Sequence, residues 1–265
     1  MPEKENSSEE IFQQGSKEEL ENIADHNLLK NISNKYAIFS EGLVKDYEIG
    51  DFIVRAVDNI SLSIENGQFL VIKGPSGAGK TSLLNLLGGL DSPNKGVIYN
   101  FGVKISDMEE ESLATWRLLN SGFIFQNYNL ISTLTAEENV MFPMSLSGVS
   151  FKKQRERATE LLSKMSLNDR REHLPFQLSA GEQQRVAIAR ALANDPPMII
   201  ADEPTANLDK NTSKFIRDLF RDLKNNIRTI IVATHDDFLI SLADRVITFD
   251  EGKIIKEEII TEKEN

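Results

Sequence analysis

Residues 74–82 read GPSGAGKTS, and this short segment limits the possible architectures more than any other part of the chain. It fits the pattern of a glycine, four residues of any kind, and then Gly-Lys followed by Ser or Thr. The apolar run FLVIK precedes it and the run TSLLNLLGG follows it, so the segment joins a strand to a helix. Glycines at 74, 77 and 79 allow a tight turn and a close approach of the backbone to phosphate oxygens. The segment therefore predicts a binding site for a nucleoside triphosphate.

Individual residues of this loop have expected contacts with the nucleotide. Lys80 is expected to bridge the β- and γ-phosphates, Thr81 to hold Mg²⁺ through its hydroxyl, and Ser82 to touch the α-phosphate. The other residues predicted to contact the nucleotide are Gly74, Pro75, Ser76, Gly77, Ala78 and Gly79. The loop alone does not identify the reaction, because small nucleotide kinases use almost the same loop.

Apolar runs on both sides of the loop indicate the fold class. The runs FLVIKG, GFIF, MIIAD and TIIVATH are typical of strands buried on both faces of a parallel sheet. Alternating apolar residues in AIFSEGLVKDY and FIVRAVDNISLSI indicate antiparallel strands. We therefore predict an α/β fold, namely a P-loop NTPase core with a mixed sheet, an antiparallel β-subdomain and an inserted helical subdomain.

The chain divides into two tails and one folded domain with an insert. Residues 127–193 carry mostly helical signals, including FKKQRERATELLSKM with apolar positions every three or four residues, and are predicted to be the helical subdomain. Residues 1–35 are acidic and polar, which predicts a disordered tail with one short helix at Glu18–Leu29. Residues 36–256 then form the folded domain, and residues 257–265 form a charged tail.

Composition excludes several classes of protein. The 265 residues carry a net charge of −11, which argues against a large nucleic-acid footprint. No apolar run approaches the roughly 18 residues that span a bilayer, and the acidic N-terminus does not resemble a secretory signal. Cysteine is absent, which excludes disulfides and thiolate metal sites. We expect a cytoplasmic protein that does not bind nucleic acid.

Two carboxylates and a histidine follow strands that are expected to lie side by side. Asp202 suits a water-mediated contact with Mg²⁺, and Glu203 is placed to orient and deprotonate the attacking water. As an alternative, these acidic residues merely cap the following helix. His235 follows the strand expected beside MIIAD, so it is better placed to reach a γ-phosphate than His26 or His173. These positions favour hydrolysis of the nucleotide.

A second predicted anion site begins at Ser179, within residues 177–191, which read QLSAGEQQRVAIARA. Small residues there precede apolar positions at helical spacing, namely Val186, Ile188, Ala189 and Leu192. The N–H groups and the positive dipole end at the start of a helix can bind a phosphate. The sequence thus predicts two phosphate sites in one domain.

The order of the motifs resembles one family. GPSGAGKTS, GFIFQ, LSAGEQQ, IIADEP, NLD and THD follow one another as in the ATP-binding cassette (ABC) ATPases, and the resemblance covers the chain from Tyr36 to Lys256. Within the family, GGLDSPNKG, GFIFQNYNLISTLTAEENV and QQRVAIARALANDP are similar to the subclass that serves macrolide exporters and lipoprotein-releasing systems. The resemblance implies a transporter ATPase that uses ATP and Mg²⁺.

The resemblance also explains the second phosphate site. In this family the P-loop of one cassette and the signature segment of another close on the same ATP, which implies a homodimer. Ser179 and the amide of Gly181 would contact the γ-phosphate of the partner's ATP. Ala180 replaces a glycine of the family pattern and requires a negative φ, while Glu182 replaces a glutamine and must turn its charge toward the ribose. The alternative is a degenerate signature with a passive role.

Three further residues are assigned by their positions in the family pattern. Tyr47 lies where the family stacks an aromatic ring on adenine, although it could be an ordinary strand tyrosine. Gln126 resembles the glutamine that touches Mg²⁺ and the attacking water and hinges the helical subdomain. Asp209 resembles the carboxylate that crosses the dimer interface, and it could also cap the helix that KNTSKFIRDLF predicts.

The resemblance implies a separate transmembrane permease, through which the subunit would sit on the inner face of the cell membrane. Met141, Phe142 and Met144 are candidates for a groove that accepts a permease helix, with packing in the core as the alternative. Regulation of a membrane complex without transport, as in cell division, would use the same motifs and stays open. A DNA-repair or chromosome ATPase is disfavoured, because those proteins insert long coiled coils between the two phosphate sites.

Overall fold

A computed structural model describes residues 35–226 and 228–260. The predicted N-terminal tail, with its helix at Glu18–Leu29, lies outside the described residues up to position 34. Residues 261–265 of the predicted C-terminal tail also lie outside them. The last described strand ends at Ile259, beyond the predicted domain boundary at Lys256.

The strands of the described residues form two sheets. Their bounds are β1 (Tyr36–Ile49), β2 (Phe52–Glu65), β3 (Phe69–Lys73), β4 (Lys95–Asn100), β5 (Val103–Lys104), β6 (Ser121–Ile124), β7 (Met198–Asp202), β8 (Thr229–Ala233), β9 (Arg245–Asp250) and β10 (Lys253–Ile259). The smaller sheet has the order β2-β1-β4-β5, and its pairs are all antiparallel. This sheet is the predicted antiparallel β-subdomain.

The larger sheet places the predicted phosphate and carboxylate residues at one edge. Its order is β10-β9-β3-β8-β7-β6, with parallel pairs from β9 to β6 and an antiparallel edge strand, β10. Strands β3, β7 and β8 consist almost wholly of buried residues, as a sheet covered on both faces requires. Because parallel strands end at the same edge of a sheet, the segments after β3, β6, β7 and β8 come together there.

Helices cover both faces of the larger sheet. In the described residues they are α1 (Lys80–Leu87), α2 (Glu110–Asn120), α3 (Ala136–Leu146), α4 (Phe151–Lys164), α5 (Ala180–Ala191), α6 (Lys210–Asn225) and α7 (Asp237–Leu242). Helices α3, α4 and α5 lie between β6 and β7 in the chain and contact one another. Helix α3 begins at a capping box, in which Thr135 and Glu138 satisfy each other's backbone N–H groups.

Alternate residues of the larger sheet belong to two hydrophobic clusters, one on each face. One cluster joins α3, α4, α5 and α6 to the sheet, with the rings of Phe69 and Phe220 centred 6.3 Å apart. The other joins α1 and the smaller sheet to the opposite face and includes Leu83, Leu87 and Phe249. The predicted fold class is confirmed: a mixed-sheet core carries an antiparallel subdomain and a helical insert.

Candidate functional site

An open cleft of about 980 Å³ lies where β3, β6, β7 and β8 end. Most of the predicted site residues line it, although they come from widely separated parts of the chain. They are Tyr47, Ser76, Gly77, Ala78, Gly79, Lys80, Thr81, Ser82, Gln126, Asp202, Glu203 and His235. The structure therefore brings the predicted phosphate, metal and hydrolytic residues into one site.

Two glycines of the 74–82 loop are required because strands pass directly behind it. A Cβ on Gly74 would lie 1.8 Å from the carbonyl oxygen of Phe249 in β9. A Cβ on Gly79, whose φ is +98°, would lie 2.1 Å from the carbonyl oxygen of Ala56 in β2. Any side chain at either position would push the loop away from the sheet and into the cleft.

Lys80 is buried and folds back onto its own loop. Its Nζ donates to the carbonyl oxygens of Gly74 at 2.6 Å and Pro75 at 2.9 Å. An ammonium group has three donors, so this arrangement leaves one of them for a ligand. Both Gly74 and Pro75, which do not line the cleft themselves, thus act on it through Lys80.

Thr81 and Asp202 are joined by a hydrogen bond, in which Thr81 Oγ1 donates to Asp202 Oδ2 at 2.6 Å. Hydroxyl and carboxylate oxygens are ligands that Mg²⁺ accepts, and Mg²⁺ usually adds waters and substrate phosphates to one or two protein groups. Within residues 35–226 and 228–260, no cluster of three or more His, Asp or Glu side chains could hold a metal ion. The donor set therefore fits Mg²⁺ bound together with a nucleotide rather than alone.

Glu203 directly follows β7 and has a positive φ of 45°. This uncommon conformation is held by its N–H, which donates to the carbonyl oxygen of Ala233 at 2.8 Å. The side chain of His235 is exposed, and its Nε2 lies 3.5 Å from Glu203 Oε1. The two side chains thus meet at the cleft, as the neighbouring positions of β7 and β8 predict.

Tyr47 faces the cleft and is fixed by a residue that the sequence analysis missed. Its hydroxyl donates to Asp91 Oδ2 at 2.9 Å, and Lys45 Nζ donates to Asp91 Oδ1 at 2.6 Å. Burial, together with Asp91, raises the pKa of the Tyr47 phenol, so the ring is neutral. The segment GGLDSP contains Asp91, but nothing in that segment indicates a contact with a tyrosine on β1.

Asp236 is a second residue that the sequence analysis missed. Its carboxylate accepts hydrogen bonds from Thr205 Oγ1 and Arg217 Nε, both at 2.9 Å, and it caps α7. Burial alone would raise the pKa of Asp236, but the hydrogen bonds from Arg217 and Thr205 leave that pKa below its usual range. The ionised carboxylate therefore connects the loop after Glu203, helix α6 and the loop that carries His235.

The remaining predicted residues form a second cluster outside the lining of the cleft. Ser179 caps α5, and Asp209 caps α6 by accepting from the N–H groups of Asn211 and Thr212. A Cβ on Gly181 would lie 2.7 Å from Thr212 Oγ1, which donates to Asp209 Oδ2 at 2.6 Å. Ala180 is the first residue of helix α5 and keeps the negative φ that its side chain requires.

Glu182 belongs to this second cluster and is already engaged within its own chain. It forms a capping box with Ser179 and an ion pair with Arg170, another residue that the sequence analysis missed. The side chain of Glu182 is 19% exposed and that of Arg170 is 45% exposed. The substitution that departs from the family pattern therefore stabilises the start of α5.

A smaller, mostly apolar groove of about 300 Å³ lies between β6, the end of α3 and the end of α5. Phe142 and Leu146 line it and are 40% and 61% exposed. Met141 and Met144, which were also candidates for such a groove, are buried in the core. Residues three apart on a helix share a face, so Met141 and Met144 both point into the core while Phe142 does not. The alternative interpretation, packing in the core, is therefore correct for both methionines.

Arg190 lines the same groove and connects it to the segment after Gln126. Its Nη2 donates to the carbonyl oxygen of Tyr128 at 2.8 Å, and its Nη1 donates to that of Asn129. Burial lowers the pKa of Arg190 to about 10, so the side chain is still charged near neutral pH. The C-terminal turn of α5 therefore holds the loop that follows Gln126.

Comparison with known proteins assigns the family. Residues 57–206 match the ABC transporter family. The chain belongs to that family. It is the ATP-binding subunit of an ABC transporter and an ATPase, so the resemblance inferred from the order of the motifs is confirmed. No helix in the described part of this ABC subunit has both the length and the apolar character needed to cross a membrane.

Relatives within the ABC transporter family differ in length. The chain is 46% identical over 211 residues to the macrolide export ATP-binding/permease protein MacB of Hyphomonas neptunium, covering 80% of this chain and 33% of that protein. It is 46% identical over 219 residues to the uncharacterized ABC transporter ATP-binding protein MJ1508 of Methanocaldococcus jannaschii, covering 83% of this chain and 98% of that protein. The chain thus spans a third of the first relative and almost all of the second.

A solved structure of the family is a dimer. It is the post-hydrolysis state of the ATP-binding cassette MJ0796 of Methanocaldococcus jannaschii, bound to ADP and Pi. The two chains are 40% identical, with a TM-score of 0.80, and the match covers 84% of this chain and 98% of that one.

Proposed function

We propose that this ATPase subunit pairs with a second copy of itself around two ATP molecules and drives a separate membrane permease. The observation that carries the proposal is the division of the predicted residues into one cleft, which is complete on the P-loop side, and a separate cluster around Ser179. Residues 36–256 would form the cassette, with 127–193 as its helical subdomain. The permease would hold the subunit at the inner face of the membrane in an export or lipoprotein-releasing system, and the similarity to the macrolide export protein MacB supports export.

Hydrolysis would take place within the cleft of one chain. Thr81, Gln126 and Asp202 would hold Mg²⁺, which supplies charge neutralisation to the phosphates. Glu203 would accept a proton from the attacking water, because its carboxylate faces the cleft at the end of β7. His235, 3.5 Å from Glu203, would position the γ-phosphate beside that water. Tyr47, fixed by Asp91, would stack on the adenine.

The cluster around Ser179 would act on the ATP of the other subunit. The first N–H groups of a helix have no partners within the helix, and the positive dipole end favours a phosphate. Ser179 and the amide of Gly181 would donate to the γ-phosphate in trans, while Asp209 would face the partner's P-loop. The dimeric structure of MJ0796 supports this pairing.

Dimer formation tests the proposed pairing. The Glu203→Gln protein is expected to dimerise with ATP and Mg²⁺ and to stay monomeric without them, because ATP would persist between the subunits. Adding Ser179→Arg should abolish this dimer, since bulk and the wrong donor geometry then meet the γ-phosphate. Sedimentation velocity measures the dimer, and ATP titration of the monomer should give an unchanged affinity.

The matched control is Ser150→Arg, in the same Glu203→Gln protein. Ser150 also precedes a helix, α4, but its side chain makes no capping hydrogen bond and is exposed. This variant should dimerise normally. A normal ATP-dependent dimer of the Ser179→Arg variant would show that the signature does not act in trans.

The groove between α3 and α5 would receive a short helix of the permease. Phe142→Asp and Leu146→Asp are expected to weaken permease capture by about tenfold or more each, because burying such a side chain contributes about 1.5–3 kcal/mol. Intrinsic ATPase activity should be nearly unchanged, since both side chains are exposed in the isolated subunit. The paired measurement is co-purification with the permease in detergent and ATP hydrolysis by the subunit alone.

The control for the groove is Phe151→Asp, at an apolar side chain that is 69% exposed at the start of α4 and does not line the groove. It should keep both capture and hydrolysis. Loss of both properties in the Phe142 and Leu146 variants would mean that these residues stabilise the fold. Retention of both would place the docking surface elsewhere.

A further inference from the structure

The hydroxyl group of Ser179 donates its hydrogen bond within its own chain. Its Oγ donates to Glu182 Oε2 at 2.8 Å, and its backbone N–H donates to the same oxygen at 2.8 Å. In return, the N–H of Glu182 donates to Ser179 Oγ at 3.3 Å. A hydroxyl has one proton and an ionised carboxylate can only accept, so this proton is committed to Glu182.

Arg170 holds the other oxygen of the same carboxylate. It ends the short 3₁₀ helix Asn168–Arg170, and its Nε donates to Glu182 Oε1 at 2.9 Å. Burial by itself raises the pKa of Glu182, but the hydrogen bonds from Ser179 and Arg170 outweigh burial and lower that pKa. The carboxylate is therefore ionised, and Arg170 is the cation paired with it.

This arrangement conflicts with a phosphate that approaches Ser179. The hydroxyl cannot donate to Glu182 and to a γ-phosphate at the same time, because it has a single proton. An unpaired carboxylate beside the phosphate would also repel it, and that repulsion is strong where water is excluded. Glutamine, the residue of the family pattern, would remove the charge repulsion, since its side chain is neutral.

We propose that Arg170 is a positioning residue of the signature. It keeps the Glu182 carboxylate in place and balances its negative charge when Ser179 turns its hydroxyl to the partner's γ-phosphate. After the hydrogen bond from the hydroxyl is lost, the Glu182 carboxylate still accepts hydrogen bonds from the backbone N–H of Ser179 and the guanidinium of Arg170. Arg170 itself need not touch the nucleotide. The proposal rests on the ATP-sandwich dimer proposed above.

The test is a double-mutant cycle on ATP-dependent dimerisation, with the Glu203→Gln protein as the reference. Sedimentation velocity with ATP and Mg²⁺ compares this protein with its Arg170→Gln, Glu182→Gln and doubly substituted forms. Arg170→Gln should raise the dimer dissociation constant by about tenfold, within the range of measured couplings between residues in contact. Glu182→Gln should not weaken the dimer, because glutamine preserves the capping box without the charge.

The decisive result is the doubly substituted protein, which should dimerise as well as the Glu182→Gln protein. Arg170→Lys should recover part of the affinity, because it restores the positive charge without the planar geometry of the guanidinium. Monomer ATP affinity should stay the same in all forms, and thermal stability should change little, because a partly exposed ion pair contributes little to stability. The control is Arg155→Gln, which is expected to have no effect. Arg155 is exposed, and its Nε lies 3.8 Å from Glu137 Oε1 on α3.

Two results would overturn the role of Arg170. One is an Arg170→Gln protein that dimerises normally, and the other is an equal loss of affinity whether position 182 is Glu or Gln. A reference protein that does not dimerise with ATP would instead overturn the sandwich itself, and the proposal with it. The Ser179→Arg variant distinguishes failure of the Arg170 role from failure of the sandwich. If the sandwich is correct, Ser179→Arg removes the ATP-dependent dimer whether or not Arg170 acts through Glu182.

Discussion

Replacing Glu203 by Gln is expected to reduce ATP turnover by at least about a hundredfold, because a general base typically contributes about 10²–10⁴ in rate. The amide has nearly the shape of the carboxylate but cannot accept the proton of the attacking water. ATP affinity should persist, since Lys80 and the P-loop are unchanged. Phosphate release under saturating ATP measures turnover, and titration with a fluorescent ATP analogue measures affinity.

The control for this substitution is Glu172→Gln, which removes an exposed carboxylate outside the cleft and should keep full activity. Turnover by the Glu203→Gln protein above about a tenth of the unmodified protein would contradict the assignment of Glu203 as the base. His235, 3.5 Å away, would then be the next side chain to test.

Replacing Lys80 by Ala is expected to weaken ATP binding by at least about a hundredfold, since hydrogen bonds to charged groups contribute about 1.5–3 kcal/mol each and two would be lost. Without ligand, the buried ammonium group binds the carbonyl oxygens of Gly74 and Pro75. We expect it to exchange these acceptors for the β- and γ-phosphates. Calorimetric titration of ATP into the variant measures the loss.

Lys73→Ala is the matched control for Lys80. Lys73 ends β3, just before the same loop, but its Nζ lies 3.3 Å from Glu258 on β10 rather than in the cleft. Its removal changes the net charge equally and should leave ATP affinity within about threefold of the unmodified protein. An equal loss in both variants would show that affinity depends on overall charge rather than on the position of Lys80.

The fold could be predicted because local patterns and motif positions agreed. The runs FLVIK, MIIAD and TIIVA are buried on both faces, and the segments that follow them contribute residues that line the cleft. The loop at 74–82 lies between a strand and a helix, as its glycines require. Because parallel strands share one edge, side chains such as Glu203 and His235 were expected to meet.

The supporting residues could not be predicted, because their partners are distant in sequence and their types are common. Asp91, in the loop after α1, accepts a hydrogen bond from Tyr47 on β1 of the smaller sheet. Arg217 lies on α6 among other charged residues, so its sequence context is that of any solvated helix face. On α3, helical periodicity alone did not separate the exposed Phe142 from the buried Met141 and Met144.

The two ends of helix α5 lie at two different contacts of this ABC subunit in the proposed assembly, one with the partner subunit and one with the permease. Ser179 caps its start, and Arg190 and Ala191 at its end line the groove beside α3. Its 12 residues make a single rigid element about 18 Å long. Binding at its two ends is then subject to reciprocity: a permease that tightens the ATP dimer by some factor must itself be bound more tightly by that dimer, by the same factor. A permease that gains nothing in affinity when ATP closes the dimer could therefore not promote that closure either.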